Sequence, residues 1–125
     1  MKIAILLPYK ENYSELNAGA VSIFVNDTIK LSKYKKDIKV YGSTDSKKVL
    51  KQYINIKFKK KFYKSSSNEY LRCFLNKIKD IKIDILEIHN RPHYFNFIKP
   101  DYNYKKILFF HNDPLNMHGS ASTKE

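Results

Sequence analysis

Residues Lys105-Lys106-Ile107-Leu108-Phe109-Phe110-His111-Asn112-Asp113-Pro114 form a short apolar run that ends abruptly in polar side chains. A run this short, followed by turn-forming residues, is typical of a buried parallel strand. The same pattern occurs earlier, in Ile83-Asp84-Ile85-Leu86-Glu87-Ile88-His89-Asn90-Arg91-Pro92, and both runs end in His-Asn-x-Pro. In open α/β sheets, ligands bind beyond the carboxyl ends of the strands. We therefore expect His89-Asn90 and His111-Asn112 to share one rim of a sheet.

Other strands and helices alternate with these two runs. Apolar runs predict strands at residues 2–7, 38–41 and 53–58, the last at a sheet edge, in addition to 83–88 and 106–110. Helical spacing predicts helices from residues 17–20 to 33–36, after the cap at 65–68, and at 92–99. This order predicts one α/β domain over residues 1–125, with three layers and a Rossmann-like parallel sheet of about five strands.

Two predicted helices carry an apolar face. In the first helix we expect Asn17 to be the N-cap and Val21, Phe24, Val25, Thr28 and Ser32 to share the buried face. In the second helix, Leu71, Phe74, Leu75 and Ile78 form the stripe that packs on the sheet, with Cys73 opposite it as a half-exposed thiol.

The chain is strongly basic, with 24 Lys and Arg against 12 Asp and Glu, so its formal charge is 24 − 12 = +12. Such a charge favours nucleic-acid or anionic-membrane binding. The cations are spread along the chain, however, apart from Lys57-Phe58-Lys59-Lys60-Lys61, and Lys, Asn, Ile and Tyr are abundant together, as in an AT-rich coding sequence. We expect no specific nucleic-acid partner.

The single cysteine and the absence of a long apolar run indicate the cellular compartment. Because Cys73 is the only cysteine, the chain can form neither an internal disulfide nor a metal site made of cysteines, which suits a reducing cytosol. No apolar run approaches the length of a membrane span, and residues 3–7 are too short for a signal sequence. We expect a cytoplasmic protein, with a peripheral contact at the inner face of the membrane left open.

The last residues resemble the start of another helix. Ser122-Thr123-Lys124-Glu125 matches a capping box, which predicts that the domain is truncated just before its next helix. The alternative is that the residues from Gly119 onward form a frayed polar tail.

A small-residue turn precedes the first helix. Gly19 and Ala20 let backbone N–H groups and the helix N-terminus face an anion such as a diphosphate. The match to a dinucleotide-binding G-x-G-x-x-G motif is poor, because Gly19 is the only glycine of the turn. A helix start that needs a small residue explains the turn about as well.

The two His-Asn pairs are the candidate binding groups. A histidine such as His111 donates to a sugar hydroxyl or stabilises developing charge, and Asn112 and Asp113 beside it suit a hydroxyl-rich ligand. The alternative is that His111 bonds to backbone while Asn112 or Asp113 caps a turn. His89-Asn90 has the same two interpretations.

The sequence lacks the motifs of a metal site, of an activated nucleophile and of a phosphate-binding loop. The four histidines, His89, His93, His111 and His118, lack the spacing of a metal motif, so we expect no metal. The sequence contains neither a G-x-S-x-G nucleophile motif nor a P-loop.

Taken together, three segments resemble the N-terminal domain of GT-B glycosyltransferases, most closely glycosyltransferase family 4. The first is Met1-Lys2-Ile3-Ala4-Ile5-Leu6-Leu7-Pro8 with the turn Asn17-Ala18-Gly19-Ala20-Val21-Ser22; the others are Asp84-Ile85-Leu86-Glu87-Ile88-His89-Asn90 and Ile107-Leu108-Phe109-Phe110-His111-Asn112-Asp113. The resemblance covers most of the chain. Ala18 stands where the family often has a second glycine.

The resemblance implies the N-terminal, acceptor-side half of an enzyme that moves a sugar from a nucleotide-sugar to an acceptor hydroxyl. It implies no cofactor and no metal, a retaining outcome, and a sugar or lipid-linked acceptor. His111 would be the catalytic residue, in contact with the donor sugar; Gly19 and Ala20 would lie near phosphate, and His89 and Asn90 on the acceptor side. The family's C-terminal domain is absent, so this fragment is expected to be inactive alone.

Two alternatives belong to other classes. One is a small basic α/β module that binds nucleic acid or a protein partner. The other is a CheY-like signalling domain, which requires acidic residues after the first strand, where Pro8-Tyr9-Lys10 offers none.

Overall fold

The structure is a computed structural model that describes residues 1–16, 18–44, 49–60, 63, 65–98 and 103–111. Within these residues the chain forms five strands and three α-helices, with one short 3₁₀ turn at Lys35–Asp37. Their bounds are β1 Ile3–Leu6, α1 Ala20–Leu31, β2 Ile38–Gly42, β3 Tyr53–Asn55, α2 Ser66–Ile78, β4 Ile85–His89, α3 Pro92–Phe97 and β5 Lys105–Phe109.

The five strands form one parallel sheet in the order β3-β2-β1-β4-β5. The chain therefore builds one half of the sheet outward from β1 and then returns to β1's other side with β4. The strand order reverses between β1 and β4, which is where ligands bind in open α/β sheets. The predicted α/β class and Rossmann-like sheet are confirmed, as is the edge position of the third strand.

Alternate residues of β1 serve two separate cores, because successive side chains of a strand point to opposite faces. Ala4 and Leu6 belong to a cluster with α2 and α3, whereas Ile5 and Leu7 belong to a cluster with α1. Since helices cover both faces, the domain has three layers. The α2–α3 side contains three large buried rings, Tyr70, Phe74 and Tyr94, and the α1 side contains Tyr13.

The buried face of α1 differs from the predicted one. Its buried residues are Val21, Ser22, Val25 and Ile29, at a spacing of about one turn. Phe24 and Thr28 are exposed instead. The helix ends at Leu31, before Ser32 and before the predicted end at residues 33–36. The prediction is confirmed for Val21 and Val25 and was wrong for Phe24, which turns toward the histidines at the end of the sheet rather than into the core.

The remaining boundaries differ modestly from the predictions. The third strand is shorter than expected, the fourth is Ile85–His89 rather than residues 83–88, and the fifth is Lys105–Phe109. The stripe of α2 is confirmed for Leu71, Phe74 and Ile78, which are buried, and Cys73 is half-buried as predicted.

Several sequence predictions fall outside the described residues. These are the roles of Asn112, Asp113 and His118 and the capping box at residues 122–125. The N-cap of α1 is Gly19, so the prediction that Asn17 is the N-cap was wrong. In the part of the chain that the structure describes, no helix combines the length and the apolar character needed to cross a membrane.

Candidate functional site

His89 and His111 come together at the rim where β4 and β5 end. His89 is the last residue of β4 and lies opposite Phe109 in the register of the two strands. His111 follows Phe109 by two residues, so the two histidines are not opposite each other in the sheet. Because of this offset, the chain after β5 can bring His111 over the end of β4, where His89 Nδ1 lies 2.9 Å from His111 Nε2.

Asn90 makes the turn that joins the two strand ends. Its backbone has φ 57°, a left-handed conformation that asparagine tolerates better than most residues. Its backbone N–H donates to the Phe109 carbonyl at 2.8 Å, and its side-chain Oδ1 accepts the His111 N–H at 3.0 Å. Asn90 therefore positions His111, and the oxygen of its amide is already engaged.

Glu87 determines which nitrogens carry protons in the neutral pair. Its carboxylate oxygen Oε2 lies 3.4 Å from His89 Nε2, and a carboxylate can only accept a hydrogen bond. His89 therefore carries its hydrogen on Nε2, and its Nδ1 accepts a hydrogen from His111 Nε2. This leaves the lone pair of the exposed His111 on Nδ1. The chain Glu87–His89–His111 thus links a carboxylate to a solvent-facing imidazole.

Aromatic rings surround the histidine pair. His89 is 1% exposed and stacks on Phe109, with ring centroids 4.9 Å apart and planes 6° from parallel. Phe24 of α1 meets His111 edge-on at 4.8 Å. These contacts hold both imidazole rings in place, and they explain why Phe24 is turned away from the core.

The surroundings lower the pKa of His111 below its ordinary value. Partial burial of the ring is the main cause, and the neighbouring His89 acts in the same direction. The negative charge of Glu11 opposes both effects. At neutral pH His111 is therefore predominantly uncharged, with Nδ1 able to accept a hydrogen bond or a proton.

Glu11 occupies the N-terminus of α1, which is the predicted anion site. Gly19 is the N-cap of this helix, and the Glu11 carboxylate accepts a hydrogen bond from the Ser22 N–H at 3.2 Å. A Cβ added to Gly19 would lie 1.9 Å from Glu11 Oε2, so the present position of the Glu11 carboxylate depends on glycine here. Its φ of −74° is one that any residue adopts. Ala20, the first helical residue, is exposed.

Sequence reasoning missed three residues of this site: Glu11, Phe24 and Glu87. Glu87 stands two residues before His89, so both side chains face the same side of β4. The sequence could have indicated this, because residues two apart in a strand lie on one face. Glu11 lies in the connection between β1 and α1, which is longer than the usual loop between a strand and a helix, and long loops are more often functional. No sequence signal distinguished Phe24 from a core residue.

Within the described residues, no group of three or more His, Cys, Asp or Glu side chains is arranged to hold a metal ion. His93 lies on α3, and Cys73 lies on α2.

The chain matches no family model, no curated protein and no solved structure. The case for a function therefore depends on the residues and the geometry of this rim.

Proposed function

We propose that this chain is the acceptor-side, N-terminal part of a glycosyltransferase, which moves a sugar from a nucleotide-sugar donor to an acceptor hydroxyl. The observation that carries the proposal is the hydrogen-bonded pair His89–His111 at the carboxyl rim of the sheet, next to the strand-order reversal between β1 and β4. A second domain would supply most of the contacts to the nucleotide.

The protonation pattern of the pair suits a hydroxyl-bearing ligand. With His111 Nε2 donating to His89, the neutral Nδ1 of His111 accepts a hydrogen bond from a sugar hydroxyl. When the pair gains a proton, the same nitrogen becomes a donor, and Glu87 stabilises the positive charge through His89. His111 is therefore the proposed contact to the donor sugar, while His89 and Glu87 are positioning residues.

The first turn of α1 is the proposed position of the donor phosphates. Backbone N–H groups near Gly19 and Ala20 favour an anion at this helix end. The Glu11 carboxylate already satisfies one of these groups, the Ser22 N–H. A donor diphosphate would have to displace Glu11, so Glu11→Gln should tighten the binding of a nucleoside diphosphate by removing a negative charge.

The sugar contact can be tested on the chain itself by following the imidazole signals in NMR. Addition of nucleotide-sugars should shift the ring resonances of His111 and His89 but not those of His93, which lies on α3. His93→Gln is the comparison variant, because it removes the other described histidine, which lies in the first turn of α3 and packs edge-on against Tyr94. Titrations in which none of a panel of nucleotide-sugars and free sugars moves the His111 ring would contradict the proposed site.

The catalytic role needs turnover measurements on a chain that includes the nucleotide-binding domain. His111→Ala should lower kcat by about 10²–10³-fold with a smaller change in KM, because the contact strengthens in the transition state. His93→Gln should leave both parameters unchanged. A His111→Ala enzyme that stays folded and turns over at the parent rate would remove His111 from the reaction.

The alternative is a basic module that binds nucleic acid. It predicts sequence-selective binding to DNA or RNA at physiological salt, whereas scattered lysines predict weak binding that falls steeply as salt rises. A salt titration of duplex binding separates the two.

A further inference from the structure

A cavity lies beyond the carboxyl ends of β2 and β3, in the half of the sheet away from the histidine pair. Its volume is about 600 Å³, and its lining contains neither His89 nor His111. The lining residues come from the ends of three neighbouring strands and the segments that follow them: Tyr9, Lys10, Ser43, Thr44, Asn55, Ile56, Lys57, Phe58 and Lys60.

Among the described residues, the lining is cationic: it includes three lysines, Lys10, Lys57 and Lys60, and no aspartate or glutamate. None of these lysines forms an ion pair with a carboxylate of the described residues. By contrast, a smaller cavity of about 310 Å³ at the opposite end of β1 and β2 contains Asp37, which pairs with Lys2 at 2.9 Å. Uncompensated cations in a concave site attract an anion.

The polar wall of this cavity is held in place by hydrogen bonds. Lys10 has φ 67°, a left-handed backbone, and its N–H donates to Ser43 Oγ at 2.8 Å. The Ser43 hydroxyl keeps its own hydrogen for donation. The Thr44 N–H donates to Tyr53 Oη and Asn55 Oδ1, at 2.7 and 3.0 Å. Lys10 and Ser43 are therefore positioned before any ligand arrives.

An aromatic surface forms the other wall. The rings of Tyr9 and Phe58 are 5.7 Å apart between centroids, and Lys10 Nζ lies 5.6 Å from the centre of the Tyr9 ring. A ligand with an anionic group and a ring or sugar attached would meet both kinds of wall.

We propose that this cavity binds a phosphate-bearing molecule, with Lys57, Lys60 and Lys10 contacting the phosphate and Ser43 donating a hydrogen bond to it. The shared chemistry is a phosphate group, carried either by a small soluble molecule or by a lipid headgroup. This proposal is independent of the proposed transfer reaction at the histidine rim. Its test measures binding without a nucleotide-sugar, so it can fail or succeed separately.

The test measures binding to the whole chain by calorimetry. Inorganic pyrophosphate and a hexose phosphate represent the soluble source, and phosphatidylcholine vesicles with or without phosphatidic acid represent the lipid source. The test variant is Lys57→Gln with Lys60→Gln. The matched control is Lys36→Gln with Lys39→Gln, which removes the same charge from the lining of the cavity at the opposite end of the strands.

Binding by either phosphate source, weakened on the order of tenfold or more in the test variant and unchanged in the control, supports the proposal. Preference for the soluble ligands or for the acidic vesicles then identifies the source. Amide NMR signals of Ser43 and Thr44 should shift on binding, which locates the ligand independently of the lysine variants.

Three results would overturn the proposal. The first is no binding by any of the probes at low salt. The second is an equal loss in both double variants, which would mean that only the total charge matters. The third is binding of duplex DNA at physiological salt that the test variant abolishes while pyrophosphate does not bind, which would assign the cavity to a nucleic acid.

Discussion

The contact between Gly19 and Glu11 can be tested by adding a single methyl group. Gly19→Ala places a Cβ that would overlap the Glu11 carboxylate, at 1.9 Å from Oε2 and 2.6 Å from Cδ. The backbone of Gly19, φ −74° and ψ 169°, accepts alanine without strain. Because a carboxylate at the end of a flexible side chain can swing away, the main expected consequence is its loss from the N-terminus of α1.

The cost follows from what the carboxylate does there. It accepts the Ser22 N–H, as a capping side chain does, and a cap is worth about 1 kcal/mol. Its charge also interacts with the helix dipole, which adds about 0.5 kcal/mol. Alanine is a poorer N-cap than glycine but reduces the entropy of the unfolded chain, and these two effects nearly cancel. We expect Gly19→Ala to lower the free energy of unfolding by about 1–1.5 kcal/mol.

A double-mutant cycle with Glu11→Ala isolates this contact. In the Glu11→Ala background the added methyl group meets no carboxylate, so Gly19→Ala should change stability by less than about 0.5 kcal/mol. Urea denaturation with an unchanged m value measures all four free energies of unfolding. Equal costs of Gly19→Ala in the two backgrounds would refute the argument that Glu11 caps α1.

Three further predictions concern stability. Tyr70→Phe should cost about 1–3 kcal/mol in urea denaturation, because the fully buried Tyr70 hydroxyl donates to the Leu7 carbonyl at 2.7 Å; a cost near zero would mean that this carbonyl needs no partner. Because the pKa of His111 is lowered, the unfolded chain binds more protons than the folded chain just below pH 6.5. The free energy of unfolding should therefore fall as the pH drops through this range, and His111→Gln should make it depend less on pH. Lys106→Met should lower the melting temperature, because Lys106 Nζ donates to two carbonyls at the end of α3, at 2.7 and 3.0 Å; an unchanged value would show that water replaces the amine at no cost.

The fold class was readable from the sequence because its signals are local. A short apolar run bounded by turn formers is typical of a buried strand, and most of the i, i+3, i+4, i+7 stripe of α2 is buried because one helix face meets the sheet. The alternation of strands and helices along the chain then predicts a parallel sheet. The position of both histidines near strand ends followed from the same reasoning.

The association of the two histidines depends on long-range geometry. The His-Asn-x-Pro repeat suggested equivalent places, but the strand register puts His89 opposite Phe109, and the Asn90 turn brings His111 onto its ring. Register is determined by how two strands pair across the sheet, so it cannot be read from either strand alone.

Tertiary structure also decided what the long loop and the first helix do. Helical spacing could not tell whether Phe24 packs in the core or against His111, because both lie within reach of one helix face. Likewise, the small-residue turn at Gly19 indicated that another group lies close to this backbone, but the sequence did not identify that group. That group is the carboxylate of Glu11, eight residues earlier in the chain, and only the folded loop brings it to the helix end.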